Sequence, residues 1–259
     1  MKDATGYTLI PRKFERIVSL VPSQTELLCD LGVTPVGRTR FCEHADASQQ
    51  ARLEQVTVVG GTKDFSAAKI RALRPDLVLA NKEENVAEPL LELRQDIPVW
   101  TTEVKTLTDA LKMMQDVGQL IQKEDSATQM IESVRKAFTT LHSPQHRKRV
   151  LYLIWKNPWM SVGQDTFIHD MLGQCGWQNV ITTDRYPALS DEALVALNPE
   201  LILLSSEPFP FKEKHVAEVQ TLCPEARVIQ VDGALFSWYG SRLREAPDYF
   251  KSLRSAVQT

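Results

Sequence analysis

The segment Ala72-Leu73-Arg74-Pro75-Asp76-Leu77-Val78-Leu79 returns 124 residues later as Ala196-Leu197-Asn198-Pro199-Glu200-Leu201-Ile202-Leu203. Each copy is typical of the last turn of a helix, followed by a proline, an acid and an aliphatic strand. Proline disfavours helical angles at the residue before it, and an unbroken aliphatic run suits a strand that is covered on both faces. The repeat therefore predicts two similar α/β lobes.

The sequence around the two copies matches as well. Residues 17–21 and 150–154 are aliphatic runs that predict the first strand of each lobe. Residues 27–32 and 171–176 each end in a glycine, which predicts a helix with a left-handed C-terminal cap. We expect an α/β fold with two parallel sheets, an N-terminal lobe over residues 14–105, a C-terminal lobe over 147–259, and a ligand cleft between the lobes.

Residues 106–146 are predicted to join the lobes through helices. Apolar residues recur at three- and four-residue spacing from Leu107 to Ile121, and again from Ala127 to Leu141. Ser126 and Gln129 resemble a capping box, which predicts that the second, long helix begins at Ser126. We therefore expect a stiff helical connection between the lobes.

The composition is that of an ordinary globular protein. The chain has 259 residues, of which 43% are hydrophobic and 24% charged, and its formal net charge is −3. This charge gives no electrostatic reason to expect a nucleic-acid partner. The apolar runs are far shorter than the roughly 20 residues that span a bilayer. We expect a monomer without a membrane span.

The first residues do not resemble a secretory leader. Lys2, Asp3, Arg12 and Lys13 leave no room for the apolar core that such a leader needs. We expect either that a leader has been removed or that the protein works in the cytoplasm.

Three segments resemble a known family. Residues 16–27 (RIVSLVPSQTEL), 31–37 (LGVTPVG) and 70–78 (IRALRPDLV) are similar to the helical-backbone metal-receptor family, the cobalamin- and ferric-siderophore-binding proteins of ABC importers. The resemblance covers about Arg16 to Phe250. It implies two α/β lobes joined by a long helix, a periplasmic location, and a metal chelate that is bound without chemistry. The chelate is then the ligand, and no cofactor is required.

The resemblance also implies that each lobe offers an exposed glutamate to an ABC permease. Glu192 stands at this place in the second lobe, within Ser190-Asp191-Glu192-Ala193. The internal repeat aligns Ser66-Ala67-Ala68-Lys69 with that segment, which puts Ala68 opposite Glu192. The docking pair predicted from the resemblance is therefore incomplete at Ala68.

In parallel α/β lobes, ligands bind beyond the carboxyl ends of the strands. Aromatic rings there can stack on a flat ligand, and a guanidinium can pair with ligand carboxylates or phosphates. This rule nominates the following ligand-binding residues: Ser23, Phe41, Gly61, Glu83, Glu84, Trp155, Arg185, Tyr186, Glu207, Trp238, Tyr239 and Arg242.

Simpler interpretations exist for several of these residues. Ser23 and Glu26 also fit a capping box, and Gly61 also fits a plain turn. Glu83 and Glu84 fit either a carboxylate pair or a solvated helix start. Each aromatic residue could equally pack between the lobes.

A soft-metal site is a further hypothesis. Cys42 and His44 lie two residues apart on a predicted loop, and His169 stands where a helix of the second lobe should begin. A thiolate and imidazoles could share zinc or another soft divalent metal. The alternative is that Cys42 packs in the core and His44 lies on the surface.

The function favoured by these observations is a non-catalytic substrate-binding protein for a corrinoid or ferric siderophore. One alternative is an intracellular metal- or metallocofactor-handling protein on the same fold, without permease docking. A second alternative is a metal-dependent enzyme that uses the cysteine and histidines, or the paired glutamates. Because the sequence offers no set of nucleophile, base and orienting residue, we expect no enzymatic activity.

Overall fold

The computed structural model describes residues 1–10, 12–142 and 144–258. The chain divides into two compact units. Unit 1 comprises Met1–Val104, Thr108–Val134 and Tyr239–Arg242; unit 2 comprises Lys105–Leu107, Arg135–Trp238 and the chain from Leu243 onward. Ser143, which falls in the predicted connecting segment, lies outside the described residues. The domain limits predicted above stay a prediction.

Unit 1 is built on a sheet of five parallel strands in the order β3-β2-β1-β4-β5. The strands are β1 (Ile17–Ser19), β2 (Gly37–Thr39), β3 (Thr57–Gly60), β4 (Leu77–Asn81) and β5 (Val99–Thr102). The helices between them are α1 (Pro22–Asp30), α2 (Ala47–Glu54), α3 (Ala67–Ala72) and α4 (Ala87–Leu93). Central strand β4 is buried along its whole length, as its unbroken aliphatic run predicts.

Two helices follow the first sheet, α5 (Leu107–Leu120) and α6 (Glu124–Thr139). The predicted pair of helices is confirmed, with Gln122 at a φ of 55° in the break between them. The predicted start at Ser126 is wrong, because α6 begins two residues earlier at Glu124. Acidic Glu124 and Asp125 lie in the first turn, where the positive end of the helix dipole stabilises their negative charge.

Unit 2 contains a mixed sheet in the order β11-β10-β6-β7-β9, with β8 also paired to β6. Its strands are β6 (Arg149–Trp155), β7 (Trp159–Ser161), β8 (Gln178–Asn179), β9 (Ala188–Leu189), β10 (Leu201–Ser205) and β11 (Arg227–Val231). Its helices are α7 (Phe167–Gln174), α8 (Asp191–Ala196), α9 (Glu213–Leu222), α10 (Ala234–Ser237) and α11 (Ala246–Gln258), with a 3-10 turn at Ser241–Arg244.

The expectation of two parallel sheets holds only for unit 1. Strand β7 runs antiparallel to both β6 and β9, whereas β8, β10 and β11 follow the parallel pattern. Only three residues separate β6 from β7, and so short a connection joins antiparallel neighbours.

The repeated sequence forms the same corner in both units. α3 and α8 each end three residues before the proline. The residues directly before the two prolines, Arg74 and Asn198, have φ values of 48° and 44°. Proline thus moves its predecessor out of the right-handed helical region, but into the left-handed region rather than into extended backbone.

The acid of the corner binds the start of the neighbouring strand. The Asp76 carboxylate accepts from the backbone N–H of Arg16 at 2.9 Å, and the Glu200 carboxylate accepts from that of Arg149 at 2.8 Å. In return, the guanidinium of each arginine donates to the carbonyl of the leucine that ends the helix, Leu73 at 2.6 Å and Leu197 at 2.7 Å. The repeat is therefore a structural unit in which helix end and strand start bind each other.

The predicted glycine caps are confirmed. Gly32 and Gly176 both adopt a φ of 80°, directly after α1 and α7. Within the described part of the chain, none of the helices is both long and apolar enough to cross a membrane.

Candidate functional site

The loop after β4 is held by asparagine side chains. The Asn81 side-chain carbonyl accepts from the backbone N–H of Glu83 at 2.8 Å and of Glu84 at 3.3 Å. Asn85 in turn accepts from the Asn81 backbone at 2.8 Å and donates to the Thr62 carbonyl at 2.9 Å. The two predicted glutamates therefore lie, half-buried, on a turn with a fixed backbone.

The loop after β10 is the counterpart of this turn in unit 2. The Ser205 hydroxyl donates to the Glu207 carbonyl at 2.6 Å and accepts from the Tyr152 hydroxyl at 3.1 Å. The Glu207 carboxylate accepts from the Ser237 hydroxyl at 2.7 Å and from the indole N–H of Trp238 at 2.9 Å. Glu207 and Trp238, both predicted ligand residues, thus bind each other.

Tyr239 and Arg242 pack in unit 1. The Tyr239 hydroxyl donates to the Glu84 carboxylate at 3.4 Å. The Arg242 guanidinium makes a two-pronged ion pair with Glu26, with Nη2 2.6 Å from Oε1 and Nε 3.0 Å from Oε2. The Glu26 side chain is buried, and that of Arg242 is 12% exposed. Arg242 is therefore committed to Glu26, and its predicted role toward a ligand stays a prediction.

The capping-box interpretation of Ser23 is wrong. Val21 is the N-cap of α1, so Ser23 lies inside the helix, and Glu26 binds Arg242 instead of the helix start. Gly240, at a φ of 143°, lies so close that a side-chain carbon there would be 3.2 Å from the Ser23 carbonyl. The backbone at residue 240 can pack this closely against the first turn of α1 because glycine has no side chain.

Burial raises the pKa of Tyr239 well above its ordinary value, and the nearby carboxylates of Glu84 and Glu83 raise it further. The phenol therefore keeps its proton at neutral pH and acts as a hydrogen-bond donor toward Glu84.

Phe41 is the exposed aromatic residue at the carboxyl end of β2. Its side chain is 53% exposed and lies against Gly61, where an added Cβ would be 3.1 Å from the ring. The Gly61 N–H donates to the Asp64 carboxylate at 3.0 Å, and a Cβ would overlap that oxygen. Gly61 therefore fits the interpretation as a tight turn that supports the Phe41 ring.

Trp155 is an exposed aromatic residue at the carboxyl end of a strand in unit 2, although its strand corresponds to β1 and not to β2. It ends β6, is 40% exposed, and meets Phe209 edge to face at 5.5 Å between ring centroids. Phe209 also contacts Phe211 at 4.8 Å and His215 at 5.3 Å. Our sequence reasoning missed Phe209, although Phe209-Pro210-Phe211 follows the repeated strand directly and is a recognisable aromatic signal.

Arg185 and Tyr186 lie before β9, and their predicted role toward a ligand stays a prediction. The Gly163 N–H donates to the Arg185 carbonyl at 2.6 Å. Because β7 runs antiparallel to β6, the chain from β7 to Gly163 leads away from the carboxyl end of β6. The Arg185 guanidinium lies 5.6 Å from the centre of the Tyr186 ring, and its side chain is exposed.

Cys42 fits the packing alternative. It is 3% exposed, and its sulfur lies 3.0 Å from the Thr25 hydroxyl and 3.2 Å from the Thr39 hydroxyl. Burial raises the pKa of the Cys42 thiol, which disfavours the thiolate that a metal requires.

The two histidines of the predicted metal site are bound to protein groups. His44 accepts from the Asp46 backbone at 2.9 Å through Nδ1, and its Nε2 lies 3.3 Å from the Asp30 carboxylate. His169 Nδ1 lies 3.2 Å from the Asn179 amide nitrogen. Within residues 1–10, 12–142 and 144–258, no group of three or more His, Cys, Asp or Glu is arranged to hold a metal ion. The soft-metal site is therefore not assembled there.

The two positions of the predicted docking pair are equivalent. Ser190 caps α8 by accepting from the Ala193 N–H at 3.2 Å, and Ser66 caps α3 by accepting from the Lys69 N–H at 3.3 Å. Glu192 and Ala68 are then each the second residue of their helix, and both are exposed. A hydrogen bond from Ser190 lowers the pKa of Glu192, which keeps this carboxylate negative.

The fold and the loops at the strand ends place this chain in a known class of binding proteins. Residues 17–222 match the family model described as periplasmic binding protein, and the chain belongs to that family. Among its relatives, the vitamin B12-binding protein of Salmonella paratyphi A is 27% identical over 198 residues, 74% of this chain and 73% of that protein. The vitamin B12-binding protein of Vibrio parahaemolyticus is 26% identical over 208 residues, 78% and 74% of the two chains.

Solved structures share the fold. The periplasmic vitamin B12 binding protein BtuF of Vibrio cholerae superposes with a TM-score of 0.76 at 19% identity, covering 96% of this chain and 100% of that one. A periplasmic heme binding protein from Pseudomonas aeruginosa gives a TM-score of 0.77 at 23% identity, with coverages of 94% and 92%. The α/β fold with one parallel and one mixed sheet is that of these proteins.

Proposed function

We propose that this protein is a non-catalytic receptor for a corrinoid of the vitamin B12 class, which it delivers to an ABC importer from the periplasmic side. The observation that supports a corrinoid as the ligand is an exposed aromatic side chain at strand ends in each unit, Phe41 in unit 1 and Trp155 in unit 2. Large flat ligands bind against such rings, with a few polar groups that orient them. The relatives named for vitamin B12 binding support the same class.

The charge of the edge loops favours a corrinoid over a polyanionic chelate. Four basic side chains of these loops are paired with acids: Arg40 with Asp64, Lys82 with Glu103, Lys156 with Glu218 and Arg242 with Glu26. Lys63 donates to the backbone carbonyl of Glu83. The loops also carry Glu83, Glu84 and Glu207. A corrinoid presents amide groups, whereas a ferric catecholate carries several negative charges and would meet carboxylates here.

Titration calorimetry with cyanocobalamin, hemin and a ferric catecholate tests the ligand. We expect saturable heat with cyanocobalamin, and a loss of about 3- to 10-fold in affinity for Phe41→Ala and for Trp155→Ala. Leu91→Ala, at an exposed leucine of α4, is the control and should bind like the wild type. The bound corrinoid should be recovered chemically unchanged. Absence of heat with cyanocobalamin would overturn the proposal.

Docking to the permease is proposed to rest on Glu192 in this chain, because Ala68 occupies the equivalent helix position. Binding to a solubilised vitamin B12 importer should weaken in Glu192→Gln. Ala68→Glu should tighten it, because it supplies the second carboxylate. If both variants bind like the wild type, α3 and α8 take no part in docking. The chain would then fit the intracellular handling alternative better.

A further inference from the structure

Residues 237–242 contact a predicted ligand loop within each unit, since Ser237 and Trp238 belong to unit 2 and Tyr239–Arg242 belongs to unit 1. Within this segment, the neighbouring residues Trp238 and Tyr239 donate hydrogen bonds to carboxylates in equivalent loops, Glu207 after β10 and Glu84 after β4. The backbones of these loops are already held by Ser205 and Asn81. In each loop the segment therefore adds side-chain hydrogen bonds to the contacts that Asn81 and Ser205 make with the loop backbone.

In unit 2 the contact is close packed. Glu207 accepts from both Ser237 and Trp238, at 2.7 and 2.9 Å. Gly233 lies beside this pair, and a Cβ there would overlap the Ser205 hydroxyl and lie 2.7 Å from Glu207 Cγ. Two donors on one carboxylate oxygen restrict its orientation more than either donor alone.

In unit 1 the segment is anchored at its far end. The ion pair of Arg242 with buried Glu26 fixes the segment to α1, and Gly240 lets the backbone lie against the Ser23 carbonyl. Directly before Gly240, Tyr239 is 6% exposed, and its hydroxyl donates to Glu84. A tyrosine buried in this way offers little surface for a ligand to stack on.

We propose that Trp238 and Tyr239 are positioning residues: Trp238 holds the Glu207 loop within unit 2, Tyr239 holds the Glu84 loop within unit 1, and neither ring stacks on a bound corrinoid. This inference rests on the proposed function for its last step only. The orientation of the two loops by the segment can be measured without any ligand.

Hydrogen–deuterium exchange of the ligand-free protein tests the positioning. We expect Tyr239→Phe to speed exchange about fivefold in residues 82–87 and to leave residues 206–212 unchanged, because one hydrogen bond is lost in one loop. Trp238→Phe should speed exchange in residues 206–212 and leave residues 82–87 unchanged, because Trp238 donates to Glu207. Tyr186→Phe, which removes a hydroxyl elsewhere, is the control and should change neither loop. Glu84→Gln keeps the acceptor oxygen and should exchange like the wild type.

The outcomes separate the two proposals. If either variant leaves its own loop unchanged, or if exchange rises evenly over the whole chain, the positioning role is overturned. If the loops respond as expected and cyanocobalamin binding weakens about 3- to 10-fold in both variants, the role is supported. If the wild type binds no cyanocobalamin while the loops respond, the proposed function fails but the orientation by the segment stands.

Discussion

At the scale of single residues, the repeated corner depends on backbone angles that ordinary residues avoid. Arg74 and Asn198 hold equivalent positions with φ values of 48° and 44°. Asparagine tolerates the left-handed region better than arginine, because its short polar side chain can bind the local backbone. The left-handed conformation at this turn therefore costs more conformational free energy at Arg74 than at Asn198.

Exchanging the two residues should have opposite effects on stability. We expect Arg74→Asn to raise the free energy of unfolding by about 0.5–1 kcal/mol and Asn198→Arg to lower it by a similar amount. Urea unfolding measures both. Arg135→Asn, on an exposed face of α6, should be slightly destabilising, since asparagine is the poorer helix former. A destabilised Arg74→Asn would contradict this account of the corner.

At the scale of elements, two helical glycines differ in how closely other atoms pack against them. Gly118 in α5 is buried, and a Cβ there would overlap the Cβ of Ala127 in α6. Gly173 in α7 is exposed, and no atom lies within 4 Å of the place a Cβ would take. The first glycine lets two helices approach closely, and the second has no such contact.

Alanine at these two positions should therefore act in opposite directions. Gly118→Ala should lower the free energy of unfolding by about 1–3 kcal/mol, because overpacking outweighs the better helix propensity. Gly173→Ala should raise it by about 0.5–1 kcal/mol. Chemical denaturation of both variants provides the measurement. Equal effects of the two substitutions would mean that helix propensity alone decides.

At the scale of the whole molecule, burial sets how stability responds to alkaline pH. Burial raises the pKa of Cys29 to about 11, and it also raises the pKa of Cys42, Cys175 and Tyr239. A raised pKa in the folded state means that the unfolded state loses its protons first. The contribution of Cys29 is fully present below about pH 9 and is lost as the pH rises toward 11.

We therefore expect the free energy of unfolding to fall between pH 9 and 11. Cys29→Ala should show a smaller fall, by about 2–3 kcal/mol across this range, because its titrating thiol is gone. Denaturant unfolding at a series of pH values measures this difference, and wild type and variant should run parallel between pH 6 and 8. If the free energy of unfolding fell equally steeply between pH 9 and 11 in the wild type and in Cys29→Ala, the role of Cys29 would be refuted.

Much of the fold could be predicted because its signals are local. The aliphatic strands, the glycine caps and the proline corner each depend on residues close together in the chain, and all three are confirmed. The predicted Ser23 cap and the start at Ser126 failed, since capping signals are short and other residues of the same turn can replace them. The antiparallel β7 was missed because three residues are too few to carry a strand pattern.

The candidate site was harder to predict, because its contacts join residues far apart in sequence. Glu26 and Arg242 stand 216 positions apart, and nothing near either residue indicates the other. The ligand cleft, the domain limits and the roles of the nominated residues remain predictions.

The amino-acid sequence alone determined that the chain repeats one α/β corner, because proline, strand burial and helix capping act over a few residues. Only the tertiary structure decided which charges pair and which rings stay exposed. A side chain at a strand end can meet a ligand, another loop or water, and that choice depends on which segments the fold brings to the same edge. Arg242 is therefore bound to Glu26, while Phe41 and Trp155 remain exposed at the strand ends.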